Sequence, residues 1–204
     1  MMDDYPLLES IRLCDGRFDL IEYHGKRIKD AWQKLFGYSN DLFSLSDYLN
    51  TFDFPVEGLF KCRLLYGKTM LAPEFIPYQK RNIESLKLVH SNTIDYHFKF
   101  ADRKQLNDLF AQKEDCDDIL IIRNGLITDT SFCNIAFRKG DDWFTPENPL
   151  LAGVRRASLL DAGIIRSKMI DFNMMGEFES FKLFNAMIPW EEAEETVLRL
   201  KFKV

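Results

Sequence analysis

The chain has 204 residues, 46% of them hydrophobic and 29% charged, and a formal net charge of −5. That balance belongs to a globular protein with a sizeable buried core, and it excludes a disordered or low-complexity chain. The acidic excess excludes general attraction to nucleic acid, whose phosphates require a basic face. Apolar runs such as residues 119–122 fall far short of the roughly 20 residues that cross a bilayer. The acidic start Met1-Met2-Asp3-Asp4-Tyr5 lacks the basic and apolar stretches of a secretory signal, so a cytoplasmic protein is expected. Cys14, Cys62, Cys116 and Cys133 are scattered without a C-x-x-C pair, which predicts buried, reduced thiols and neither a disulfide frame nor a metal site.

In chain order, residues 7–14 and 17–23 read as two strands around an Asp15-Gly16 hairpin turn. Ile28, Trp32, Leu35 and Phe36 recur at helical spacing, which predicts an amphipathic helix over 26–36 ended by Gly37. A short helix over 46–51 follows, then strands over 59–66 and 69–75 around Gly67-Lys68. Residues 77–82 break the pattern, and Leu86-Lys87-Leu88-Val89 opens a new region, so the expected domains are 1–84 and 85–204. The second contains a helix over 102–112, strands over 119–123 and 126–128 around Asn124-Gly125, strands at 134–138 and 143–144, and a helix over 154–162. Gly153 precedes that last helix and Gly163 ends it. A mixed α+β fold is expected, and no repeat of fixed period is present.

The chain has no G-x-S-x-G elbow, H-E-x-x-H helix or G-x-G-x-x-G loop, so hydrolase, zinc-protease and dinucleotide readings have no support. Six other segments carry a resemblance. Phe98-Lys99-Phe100-Ala101-Asp102-Arg103 resembles the lysine motif of the fold-type IV enzymes that use pyridoxal 5′-phosphate (PLP). That family includes branched-chain and D-amino acid aminotransferases and 4-amino-4-deoxychorismate lyase. Asn124-Gly125-Leu126-Ile127-Thr128-Asp129-Thr130-Ser131-Phe132-Cys133-Asn134 is similar to the family's N-G-x-x-T-E-x-x-x-x-N hairpin, with Asp129 in place of glutamate. Thr145-Pro146 and Leu150-Leu151-Ala152-Gly153-Val154-Arg155-Arg156 resemble T-P and L-L-x-G-[IV]-T-R, with Arg155 in place of threonine. His24-Gly25-Lys26-Arg27-Ile28 resembles H-x-x-R-[LI], and Asn185-Ala186-Met187-Ile188-Pro189 is similar to N-[SA]-x-x-x-P with one residue fewer before the proline.

Each residue also has a plain structural reading: His24 packing at a helix start, Arg27 on a solvated helix face, Asp129 in a turn, Asn134 at a strand end. The six matches in family order are what set those readings aside. The resemblance implies a two-domain enzyme with a small N-terminal α/β domain, a C-terminal β pseudo-barrel carrying the cofactor lysine, PLP between them, and a homodimer. It implies that Lys99 carries PLP as a Schiff base. Arg27, Asp129, Ser131, Asn134, Val154 and Arg155 would contact the cofactor, and Arg103, Arg155 and Asn185 are candidates for a substrate carboxylate. The substrate would be a small amine or amino acid. The compact chain and the Lys99-x-x-Asp102-Arg103 run resemble the lyase more than the branched-chain transaminases. An amino acid aminotransferase is the alternative, and a catalytically impaired PLP-binding homologue is a third reading, prompted by Asp129 and Arg155.

Overall fold

The computed structural model describes residues 6–198 and 202–203, so the acidic start Met1–Tyr5 lies outside the described residues. The chain is α+β and divides into two compact units: residues up to Lys80 together with Phe98–Asp102, and Arg81–His97 together with residues from Arg103 onward. The sequence expectation put residues 98–102 after the boundary. Backbone bonding accounts for the difference: Leu8 N–H donates to Lys99 O (2.9 Å), Ala101 N–H donates to Pro6 O (2.8 Å), and Leu7 bridges Phe100.

The first unit is built on β1 (Leu7–Cys14), β2 (Arg17–Phe18), β3 (Leu59–Tyr66) and β4 (Glu74–Pro77), in sheet order β2-β1-β3-β4. Helices α1 (Ile21–Phe36) and α2 (Leu45–Leu49) complete it, and Ser44 caps α2 by accepting from Asp47 N–H. Leu7, Ile11, Cys62 and Leu64 pack with Ile28, Ala31, Trp32, Leu45 and Leu49 in one apolar cluster, and the half-buried Phe98 and Phe100 lie against it. Two elements differ from the sequence expectation. The second strand stops at Phe18, because Ile21 already belongs to α1, whose buried face is His24, Gly25, Ile28, Ala31 and Trp32. Gly25, a helix breaker by propensity, masked that early start. A Cβ at this position would meet Leu45 Cβ at 3.7 Å, an ordinary contact between α1 and α2. The fourth strand begins only at Glu74, pairing Phe75 with Cys62, while Met70 forms an isolated bridge to Tyr66.

The second unit holds two sheets. One, ordered β13-β5-β6-β7, comprises β5 (Leu86–His90), β6 (Asp118–Arg123), β7 (Leu126–Thr130) and β13 (Phe202–Lys203). The other, ordered β10-β9-β8-β11-β12, comprises β8 (Asn134–Lys139), β9 (Asp142–Pro146), β10 (Arg166–Lys168), β11 (Ser180–Phe184) and β12 (Glu195–Val197). Helix α3 (Lys104–Phe110) connects the parallel pair β5 and β6, the crossover that parallel strands require. Both sheets contribute to one core: Leu88, Leu120, Ile122 and Ile127 from the first, and Ile135, Phe137 and Phe181 from the second. Strand β8 is buried on both faces, because Ala136 points instead to a cluster containing Leu159 of α4 (Val154–Asp161). The tight turn at Asn124 (φ 51°) and Gly125 (φ 79°) has both residues left-handed, as two-residue hairpins need. All four cysteines are free thiols. No helix among the described residues is long and apolar enough to cross a membrane.

Candidate cofactor site

In the first unit, alternation along β1 puts Leu7, Glu9, Ile11 and Leu13 on the inward face, so a carboxylate sits where the pattern supplies apolar side chains. Arg27 Nε donates to Glu9 Oε1 (2.8 Å) and Arg27 Nη2 donates to Glu9 Oε2 (2.5 Å). His24, one turn earlier in α1, places Nδ1 2.6 Å from the same Oε2. The Tyr66 side chain of β3 lies beside Glu9, and burial and then that carboxylate push its pKa up. Burial alone would raise the Glu9 pKa, but the Arg27 charge and the His24 bond outweigh it and hold the carboxyl at about 2. Burial pushes the His24 pKa down, against the opposing pull of Glu9. The His24 Nε2 is buried with no hydrogen-bond partner among the described residues. The Arg27 edge that could grip a phosphate through Nε and Nη2 is therefore taken by Glu9, and an anion would meet the Nη1 side. Lys99 is half-buried between Phe98 and Phe100, whose rings contact each other edge to face at 6.0 Å.

In the second unit, Asp129 lies near the end of β7, where the chain leaves one sheet and turns through residues 131–133 into the other. Thr130 N–H donates to Cys133 O (3.0 Å) and Cys133 N–H donates to Thr130 Oγ1 (3.0 Å), which fixes that turn. Asp129 is 5% exposed. Its Oδ1 accepts from Asn134 Nδ2 (2.8 Å) and its Oδ2 from Leu151 N–H (2.9 Å), while the same Asn134 amide also donates to Leu151 O (3.0 Å). Burial raises the Asp129 pKa to about 6 against these bonds and the nearby Arg156 charge. The loop that closes on Asp129 runs directly into α4. An added Cβ at Gly153 would fall on Asn134 Oδ1, so this position requires glycine. The first backbone bond of α4 is Ala157 N–H to Gly153 O, which leaves the N–H groups of Val154, Arg155 and Arg156 ahead of the helical ladder. Arg155 and Arg156 are both buried there, and Arg156 Nη2 donates to Pro146 O (2.8 Å).

Of the residues predicted from sequence, the second unit thus brings together Asp129, Asn134, Val154 and Arg155, and the first unit contains Arg27 and Lys99. Ser131 is buried, and its carbonyl accepts from Arg103 Nη2 (2.8 Å), while the Arg103 guanidinium also lies 5.9 Å over the Tyr96 ring. Asn185 donates to Phe132 O (3.2 Å), and its Oδ1 accepts from Met187 and Ile188 N–H (2.8 and 3.1 Å). That amide organises its own turn, and nothing in its bonding directs it toward a substrate. Sequence reading missed Glu9 and Arg156. The inward phase of β1 was the available signal for Glu9. Arg156 stands at the final arginine of the L-L-x-G-[IV]-T-R resemblance, which was the available signal for it.

Comparison with known proteins identifies relatives of the chain and of its fold. A family profile described as amino-transferase class IV matches residues 78–192. An uncharacterized protein of Haemophilus influenzae is 35% identical over 188 residues, covering 90% of this chain and 98% of that one. A solved protein of Haemophilus somnus, provisionally named a 4-amino-4-deoxychorismate lyase, is 36% identical with a TM-score of 0.83, covering 91% of this chain and 97% of that one. A hypothetical aminotransferase of Mycobacterium tuberculosis, solved with PLP bound, shares the fold at a TM-score of 0.72 and 14% identity, over 95% of this chain and 80% of that one.

Proposed function

The chain belongs to the class IV aminotransferase family, and from that premise we propose that it is a PLP enzyme with 4-amino-4-deoxychorismate lyase activity. The residues fit the cofactor by donor type: an amine at Lys99, a guanidinium at Arg27, a buried carboxylate at Asp129, and a helix N-terminus with two buried arginines. When bound, PLP supplies an electron sink for the electrons of a broken C–H bond. Lys99 would hold the cofactor through its Nζ, and the same amine, once free, would take the proton from the substrate carbon that bears nitrogen. Asp129 would face the ring nitrogen and favour its protonated form. Arg27 and the N–H groups of Val154 and Arg155 would hold the phosphate. The lyase products would be pyruvate and 4-aminobenzoate, with no amino acceptor needed.

One observation carries the cofactor reading: buried Asp129 is tied through Asn134 and Leu151 to the loop that opens α4, so one hydrogen-bonded unit sets both a ring-nitrogen partner and a phosphate-binding helix end. The lyase reading is supported by the 36% identity to the provisionally named Haemophilus somnus protein. Its test is incubation of the PLP-loaded protein with aminodeoxychorismate in the absence of any keto acid. Release of pyruvate is the expected result. No pyruvate, with amino transfer to an added keto acid, would replace the lyase with a transaminase.

A further inference from the structure

A buried ion pair contributes little net stability compared with packed apolar side chains, so the placement of Glu9 on the core-facing side of β1 calls for another explanation. The side chains around it converge on its carboxylate. Arg27 gives Glu9 two parallel bonds, His24 holds Oε2 from the preceding turn of α1, and Tyr66 reaches the same carboxylate from β3. Two parallel bonds fix both the plane and the rotation of a guanidinium. The edge carrying Nη1 is left with one orientation, on a side chain that is 16% exposed.

We propose that Glu9 is a positioning residue that aims the Nη1 side of Arg27 at the cofactor phosphate, with His24 and Tyr66 fixing Glu9 in turn. The proposal rests on the reading above that Arg27 binds the phosphate of PLP. Two effects of Glu9 have opposite signs: its bonds orient Arg27, and its negative charge opposes a bound phosphate. Orientation is the dominant effect, because a guanidinium on a long flexible side chain loses its direction once the paired bonds go.

The test compares the affinity of the apoprotein for PLP and for pyridoxal, which lacks the phosphate, by titrating the visible band of the bound cofactor. Glu9→Gln removes the charge, and Glu9→Asp keeps it but withdraws the carboxylate by one methylene. Both are expected to weaken PLP by about 10- to 100-fold, the cost of losing bonds to a charged group. Pyridoxal binding is expected to stay within about twofold. Tighter PLP binding in Glu9→Gln with wild-type binding in Glu9→Asp would mean that Glu9 is only a counter-charge, and would overturn the proposal. An unchanged preference for PLP over pyridoxal in both variants would overturn it as well. If Glu9→Gln does not fold, Tyr66→Phe, which removes one support of Glu9, is expected to weaken PLP alone by about threefold, and an unchanged preference there has the same force. Arg27→Gln is measured alongside. A preference that survives Arg27→Gln sinks the phosphate role of Arg27 itself, whereas one lost in Arg27→Gln and kept in the Glu9 variants sinks only the role of Glu9.

Discussion

Glu9 in the first unit and Asp129 in the second are both buried carboxylates, and their acidities move in opposite directions, to about 2 and about 6. Burial pushes both upward. The difference lies in what replaces the lost water. Glu9 has a guanidinium in direct contact through two bonds, and a pair of opposite charges near 4 Å is worth about 4 kcal/mol at an effective dielectric of about 20. Asp129 receives its contacts from a neutral amide and a backbone N–H, each worth less than a charge in contact. A carboxylate held low is a fixed element of structure. One held near neutrality has room for a stronger partner, and a protonated ring nitrogen is such a partner.

Removing the cation should erase the contrast. Arg27→Ala leaves Glu9 buried without its counter-charge and is expected to cost about 3–5 kcal/mol in urea unfolding, with the Glu9 pKa rising past its ordinary 4.5. A loss below about 1 kcal/mol would show that the pair is not what stabilises the buried carboxylate.

The dependence of stability on pH sharpens the contrast, because the two groups act with opposite sign. The lowered pKa of Glu9 contributes stability that is complete above about 4.5 and is lost as pH falls toward about 2. The raised pKa of Asp129 contributes stability that is complete below about 3.8 and is lost as pH rises through about 6. Over that second window wild type should lose roughly 3 kcal/mol relative to Asp129→Asn, at about 1.4 kcal/mol per pKa unit. Parallel curves for the two proteins from pH 4 to 6 would contradict the raised value.

A smaller effect probes the geometry around Asp129. Gly153→Ala drives a methyl group onto Asn134 Oδ1 and should cost about 1–3 kcal/mol as an overpacked site. It should also move the Asp129 pKa upward as the Asn134 bond is strained. A thermal melt indistinguishable from wild type would mean that the loop yields freely.

The contrast also explains which parts of the molecule sequence could reveal. Strands β1 and β3 and the Gly37 and Gly163 helix ends follow local rules of alternation and turn chemistry, and they stand where those rules put them. The start of α1 did not, because Ile21, Tyr23 and Gly25 read locally as a strand running into a break, and the helix there follows the buried face that His24, Gly25, Ile28, Ala31 and Trp32 share. The short β10, β11 and β12 had no local signature, since their pairing is set by partners distant in sequence. Among functional candidates, Lys99, Asp129 and Arg27 were reached through motif resemblance. Glu9 was legible only in the phase of its strand: a charged residue flanked by inward Leu7 and Ile11 must be inward too. The bonds that commit Arg103 to the distant Ser131 carbonyl and Asn185 to its own turn belong to the folded structure, and no spacing in the chain announces them.

The most direct test of the cofactor assignment is the visible spectrum of the purified protein with PLP, before and after borohydride reduction, with peptide mapping and Lys99→Ala as the control. The account predicts a band that borohydride abolishes, a pyridoxyl group fixed on Lys99, and neither in the variant. Absence of the band, or labelling that persists in Lys99→Ala, would contradict it.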